Sequence, residues 1–299
     1  MKTILVLTDF SERAEHAAAY AWQLAARAGA KLVFYHSFYV PHTLSADSGL
    51  YPVYYDEITQ FKNESLDKLN ALAANLAWQY HPVADNSRPE YECRNGMGSL
   101  DTVLPGLLQS YRPWLIVMGN KRADDHLTHL VMGSDSNEVI GNADCPVMLV
   151  PECADFHELK RIEFALAAFC PQEIKGLAFT AGIAKLFDAG IVITHVSPEA
   201  NEGEDVHDFV EEMASLVRDI SYENVSFNDI REDNIPRALA GHAQVAQLEM
   251  IAVVHKRYPF LRKIFHKSVT KELMKHHTVP LLVFPAKFVE EEWVYAPVF

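Results

Sequence analysis

The chain has 299 residues, 49% hydrophobic and 22% charged, with a formal net charge of −14. Such a length suits two domains, each with a sizeable core. The negative balance argues against surfaces that track nucleic acid or anionic lipid, so neither nucleic acid nor membrane is expected as a partner.

The N-terminal run MKTILVLTDF is apolar but holds Asp9, and it reads as a first strand, not a signal peptide. No apolar run approaches the ~18 residues of a membrane span. Cys93, Cys145, Cys153 and Cys170 form no C-x-x-C pair and no zinc spacing. That is the pattern of reduced thiols, and a cytoplasmic protein is expected.

In chain order, Thr3 to Leu7 predicts a strand and Thr8 to Ser11 a turn, with Ser11 as N-cap. Glu12 to Arg27 has helical periodicity, since Ala17, Ala18, Ala21, Leu24 and Ala25 share a face, and Gly29 stops it. Lys31 to Ser37 is a second strand. Phe38 to Asp56 reads as a long connection whose Tyr39, Tyr51, Tyr54 and Tyr55 either line a pocket or fold onto their own domain. Glu57 to Tyr80 is a long helix, and Pro89 to Arg94 a short strand. Gly96 and Gly98 mark a turn before a helix from Ser99 to about Ser110. Trp114 to Met118 is a buried strand that Gly119 ends, Asp135 to Asn142 a helix, and Pro146 to Val150 a strand closed by Pro151.

After a short polar stretch the pattern restarts. Arg161 to Ala167, Gly190 to His195, Glu223 to Asn228, Glu249 to Val254 and Val279 to Phe284 are strands. Pro171 to Phe187, Glu202 to Ser221, a segment capped by Asp233 or Asn234, and Ser268 to His276 are helices. CPVMLVP, ending at Pro151, is echoed by VPLLVFP, ending at Pro285. Two copies of this size mean a duplicated domain. The expected organisation is α/β: two tandem doubly wound parallel-sheet domains of five strands each, over residues 1–151 and 161–285. Residues 152–160 would be a linker and 286–299 a tail that packs back on the body or on a second subunit. The two final strands would be edges that meet across the domain interface, because unpaired edges are a liability.

In a doubly wound sheet, ligands bind outside the carboxyl ends of the strands. Asp9, Gly119, Gly133 and Ser134 fall on that rim, and the two glycines mark places where backbone N–H groups can meet a phosphate. This stretch resembles the universal stress protein family, whose members carry G-x2-G-x9-G-[ST] between the fourth strand and the last helix. In members that bind ATP, that loop holds the phosphates. Gly119 matches the first glycine, and Gly133 with Ser134 the final pair. Arg122 replaces the middle glycine, and the spacer after it is one residue longer than the family's.

The resemblance implies a Rossmann-like fold and an adenine nucleotide, ATP with or without Mg²⁺, held by Asp9, Gly119, Arg122, Gly133 and Ser134, in a stress-response or signalling role. Asp9 would lie against the adenosine, unless it only initiates a turn and caps a helix. Arg122 adds a Cβ near the phosphates but also a guanidinium that pairs with them. Asp124 and Asp125 would repel a polyphosphate unless they point away or help hold Mg²⁺. Family members pair through their final strands, which implies a pseudo-dimer within one chain and leaves a homodimer open. Walker A and G-x-G-x-x-G loops are absent, and no base or nucleophile stands out, so weak ATP hydrolysis is the most that is expected. His126 with His129, and His276 with His277, lack the further ligands of a metal site.

Aligning the copies places Ala168 opposite Asp9, His255 opposite Gly119, and Lys267-Ser268 opposite Gly133-Ser134. A basic, aromatic segment from Lys256 to Lys267 replaces the phosphate loop and is either an anion site or a solvated face. A nucleotide is therefore expected in the first copy alone. Gly133→Val should abolish most binding, and Gly119→Ala should be milder. The rival reading is a scaffold or interaction module with both sites degenerate.

Overall fold

A computed structural model describes residues 1–39, 51–80, 88–120, 134–154, 156, 159–166, 171–197, 220–255 and 269–290. Arg122, Asp124, Asp125, His126, His129 and Gly133 lie outside the described residues, as do the basic segment, residues 202–219 of an expected helix and 291–299 of the tail. The first half runs β1 (Thr3–Leu7), α1 (Glu12–Ala28), β2 (Lys31–Phe38), α2 (Tyr51–Gln79), β3 (Tyr91–Met97), α3 (Leu100–Tyr111), β4 (Leu115–Asn120), α4 (Ser134–Asn142), β5 (Val147–Pro151). The second runs β6 (Arg161–Leu166), α5 (Pro171–Phe187), β7 (Gly190–Ser197), β8 (Val225–Arg231), α6 (Ile235–Val245), β9 (Met250–Val254), α7 (Val269–His276), β10 (Leu281–Phe284), α8 (Ala286–Glu290).

These strands make one ten-stranded sheet in the order β3-β2-β1-β4-β5-β10-β9-β6-β7-β8. Each half is therefore a doubly wound sheet whose strand order reverses beside its first strand. Pairing is parallel within each half and antiparallel only at the junction, where Val147, Met148 and Leu149 face Val283, Leu282 and Leu281. The expected meeting of the two final strands is observed. One core lies on each face of the sheet, and both pass through the junction. The first joins Trp22 and Phe34 to Phe164 and Phe284, and the second joins Leu5 and Leu149 to Ile251 and Leu281. In the tail, Phe288 is buried against Phe284 and Phe179.

Local chemistry explains several helix ends. Ser11 accepts a hydrogen bond from the Ala14 N–H at the start of α1. Gly29 closes α1 in the left-handed conformation, φ 59°, with its N–H on the Ala25 carbonyl. Asn234 caps α6 by accepting from the Arg237 N–H. Three expectations need correction. Helix α2 begins at Tyr51, not Glu57, because Pro52 is tolerated in a first turn. Gly96 lies inside β3, opposite Ser37; a Cβ there would collide with the Tyr35 hydroxyl, so this glycine makes room for Tyr35 and only Gly98, φ 131°, makes the turn. Strand β4 continues through Gly119 and Asn120, which pair with Val150 and Pro151.

The sheet also corrects the alignment of the two copies by one residue. The Thr3 carbonyl accepts from Trp114 N–H, and the Arg161 carbonyl accepts from Glu249 N–H, so Thr3 matches Arg161. The residue matching Asp9 is Ala167, not Ala168, and it lies outside the described residues. Ile116 and Ile251 each donate to the proline that precedes the last strand, which matches Gly119 with Val254 and Asn120 with His255.

With that register, a polar substitution appears in the second half. Leu5 and Tyr35 belong to one apolar core in the first half, and Leu107 packs against it. Their counterparts are Glu163, Thr194 and His242, with Asn228 beside them. Glu163 is fully buried; its Oε1 is 2.7 Å from His242 Nδ1, and His242 Nε2 is 3.0 Å from Asn228 Nδ2. Glu163 Oε2 and Thr194 Oγ1 are buried with no hydrogen bond of normal geometry. Burial pushes the Glu163 carboxyl up, against the opposing effects of His242 and Thr194. Such a pair is costly to break but not to replace. His242→Leu alone should destabilise the protein by about 3–5 kcal/mol, whereas Glu163→Leu with His242→Leu should return to within about 1 kcal/mol of the parent. Urea denaturation of the four members of the cycle checks this. Because the folded carboxyl titrates above its ordinary 4.5, its contribution to stability is full below that pH and lost as pH rises through the raised value. The parent should lose stability relative to Glu163→Gln over that window.

Candidate functional site

In the first half, the carboxyl ends of β1, β2 and β4 surround a cavity of about 300 Å³ at the point where the strand order reverses. Leu7, Phe38 and Met118 supply apolar wall; Asp9, Arg13 and His36 supply polar groups. The first turn of α1 and the Ser136 and Glu138 side of α4 close it.

Asp9 initiates the turn into α1. Its Oδ1 accepts from the Ser11 N–H at 3.0 Å and from the Ser11 hydroxyl, and its Oδ2 accepts from Arg13 Nη2 at 2.7 Å. Partial burial alone would raise its carboxyl; the Ser11 hydrogen bonds and the Arg13 guanidinium outweigh it and hold the group below the ordinary carboxylate range. The turn-forming role foreseen for Asp9 is thus observed, and the same carboxylate borders the cavity.

Arg13 is the site residue that the sequence reading passed over, treating it only as part of a helix start. The signal was its i, i+4 spacing from Asp9. His36 was also passed over. Its ring packs on Phe10 with centroids 4.5 Å apart, and its Nδ1 is 2.8 Å from Ser65 Oγ. Burial, and then the charge of Lys68, lower its proton affinity against the pull of Asp9. His195 holds the same register position in β7, and the echo of FYHS by ITHVS could have exposed both.

Gly119 is a glycine because α1 lies against it. A Cβ there would stand 2.7 Å from the Arg13 carbonyl oxygen and 3.1 Å from the Ala14 nitrogen. In the second half the strand carries Val254 at this position, and a Cβ at Gly176 of the packed helix would meet Phe284 Cδ2 at 3.0 Å and Val254 Cγ2 at 3.1 Å. Ser134 is the first residue of α4, so its position at a helix entry is as expected. The structure thus brings Asp9 and Gly119 to one cavity, with Ser134 at the start of α4, which closes it. Among the described residues, no group of three or more His, Cys, Asp or Glu is placed to hold a metal ion.

A duplicated, doubly wound α/β chain with a rim cavity in its first half is the class that fold and site define. Residues 1–151 match the model of the universal stress protein family, and the chain belongs to that family. Among solved structures it is similar to a universal stress protein from Archaeoglobus fulgidus DSM 4304, at 16% identity and TM-score 0.69, with 95% of this chain and 98% of that chain covered. It is also similar to a protein of unknown function from Pseudomonas aeruginosa PAO1, at 12% identity and TM-score 0.58, with 97% and 94% covered. At such identities the likeness concerns the fold. No curated protein matches the sequence.

Apart from its effect on binding, expected to be milder than that of Gly133→Val, Gly119→Ala has a packing consequence. The added methyl would meet backbone, which cannot rotate away, so the variant should lose about 1–3 kcal/mol of stability. Thermal denaturation against the parent tests this, with Gly106→Ala, an open helical position, as the harmless control.

Proposed function

We propose that the first half, residues 1–151, binds an adenine nucleotide at this rim and that the chain acts in a stress-response or signalling role through that binding. The observation that carries the proposal is the joining of Asp9, Arg13 and Gly119 around one cavity at the strand-order reversal, closed by the helix that Ser134 begins. In this reading the adenosine enters between the ends of β1 and β2, where Leu7, Phe38 and His36 offer an apolar and aromatic wall. The phosphates turn toward Gly119, Arg122, Gly133 and Ser134 and meet N–H groups at the start of α4. Arg13 is held ready by Asp9 and can share its guanidinium with a phosphate. The residues that would hold Mg²⁺ are phosphate oxygens and the carboxylates of this rim.

One observation favours the scaffold reading. Asp9 and Glu138 place two carboxylates on the described lining against the single guanidinium of Arg13, and both Asp9 oxygens already accept hydrogen bonds. That balance opposes a polyphosphate unless the cation or backbone N–H groups offset it. A domain division at residues 152–160, with the second half as structural partner, goes with the nucleotide reading. No helix among the described residues is long and apolar enough to cross a membrane.

Calorimetry with ATP, with and without Mg²⁺, separates the readings. One site per chain is expected, and two equivalent sites would overturn the assignment to the first half. Gly133→Val should weaken binding roughly a hundredfold by removing two or more charge-assisted hydrogen bonds, while Lys267→Ala should leave affinity unchanged. A folded Gly133→Val protein that binds like the parent moves the scaffold reading ahead.

A further inference from the structure

Asn120, the last residue of β4, borders the candidate cavity, yet its side chain is spent on the other half of the molecule. It is buried, and its Nδ2 donates to the Met274 carbonyl and to His277 Nε2, the latter at 2.8 Å. Met274 lies in α7, and His277 follows its end. His277 is buried too, and its Nδ1 is 2.7 Å from the Val279 carbonyl oxygen. A carbonyl only accepts, so Nδ1 carries the proton and Nε2 is left as an acceptor. Both amide hydrogens of Asn120 are then used. The opposite amide orientation would set oxygen against the Met274 carbonyl, so the network fixes the side chain one way.

The first half carries no imidazole at the position equivalent to His277. By the sheet register, the counterpart of Asn120 is His255. Ala143 and His277 each donate their N–H to the residue four positions earlier at the end of the last helix, which makes Ala143 the counterpart of His277. Ala143 is buried and has no side-chain acceptor. The second half therefore reaches the rim of the first through an imidazole, and the first half has no such group to return. The bridge also abuts the close packing at Gly119, whose neighbour across the helix interface is Arg13. The second half, Asn120, Gly119 and the Arg13 turn form one contiguous line that ends at the cavity.

From this geometry we infer that His277 is a positioning residue for the first-half site: the second half holds the end of β4 in its ligand-ready position through Asn120. The inference rests on the nucleotide reading for its functional meaning, but the clamp itself can be tested without ligand. The second half is then a built-in partner that completes a site lying wholly in the first. Removing the imidazole leaves one amide hydrogen of Asn120 buried without an acceptor, and such groups are costly to leave unmade.

The test is hydrogen–deuterium exchange on the full ligand-free chain, followed by ATP calorimetry, for the parent, His277→Ala, His277→Gln and Asn120→Ser. Glutamine carries an amide oxygen near the position of Nε2 and should rescue. His277→Ala should raise exchange at least tenfold in peptides covering 115–120 and the residues that follow, with peptides of β1 unchanged. ATP affinity should fall about tenfold, and His277→Gln should restore both. Asn120→Ser leaves the His277–Val279 contact in place and should behave like His277→Ala; it serves if His277→Ala does not fold. Parent-like exchange in folded His277→Ala or Asn120→Ser overturns the inference, as does failure of His277→Gln to restore it. If the parent binds no ATP, the nucleotide reading fails separately, and the exchange data alone decide whether the clamp exists.

Discussion

The structure depends on one antiparallel contact, the pairing of β5 with β10. Each strand would otherwise be the outer edge of a five-stranded sheet, with a row of unsatisfied N–H and C=O groups on a segment of almost pure valine, leucine and methionine. Val147 to Pro151 and Leu281 to Phe284 are buried throughout, so neither could face water on its sides or its edge. Pairing them removes both edges and lets each hydrophobic core run through the junction. Aromatic contacts add to it: Trp114 packs on Phe179 at 5.1 Å between ring centroids, and Tyr20 on Phe156 at 4.9 Å. The two copies are consequently neighbours in one sheet, and a residue at the end of β4 is within reach of α7.

Duplication leaves each half free to diverge at positions where the other keeps the original chemistry. The strand position that is Gly119 in the first half is Val254 in the second. Val254 then occupies the position where, in the first half, backbone borders the cavity. A branched side chain there is poorly suited to a ligand that must approach the main chain. The buried polar group of Glu163, His242 and Asn228 is a second divergence, confined to a face that the first half fills with leucine. Its cost is held down in part by the Glu163–His242 and His242–Asn228 contacts.

Fold class, the duplication and the meeting of the last strands were all legible in the sequence, because they follow from apolar runs, turn residues and an apolar echo. Helix α5 ends where its pattern ends, at Pro171 and Phe187. Prediction slipped where a residue type has two physical uses. Gly96 read as a turn and proved to be space for Tyr35. Gly119 read as a strand end, and β4 proved to run through it with α1 packed against it. Tyr51 and Pro52 read as loop, though proline suits a first turn as well as a bend.

What the sequence determined by itself is the set of elements, their duplication and the rim on which Asp9, Gly119 and Ser134 would fall. These depend on local periodicity and on the carboxyl-end rule for doubly wound sheets, which need no knowledge of distant contacts. Only the tertiary structure decided register and partnership. A one-residue shift between copies exchanges Gly119's counterpart from His255 to Val254, and no periodicity distinguishes the two, since both belong to the same strand end. Asn120 and His277 are 157 residues apart, and their hydrogen bond exists because two edge strands could not remain unpaired. Hydrogen bonding between side chains of opposite halves is a property of three-dimensional proximity, and a linear pattern carries no record of it.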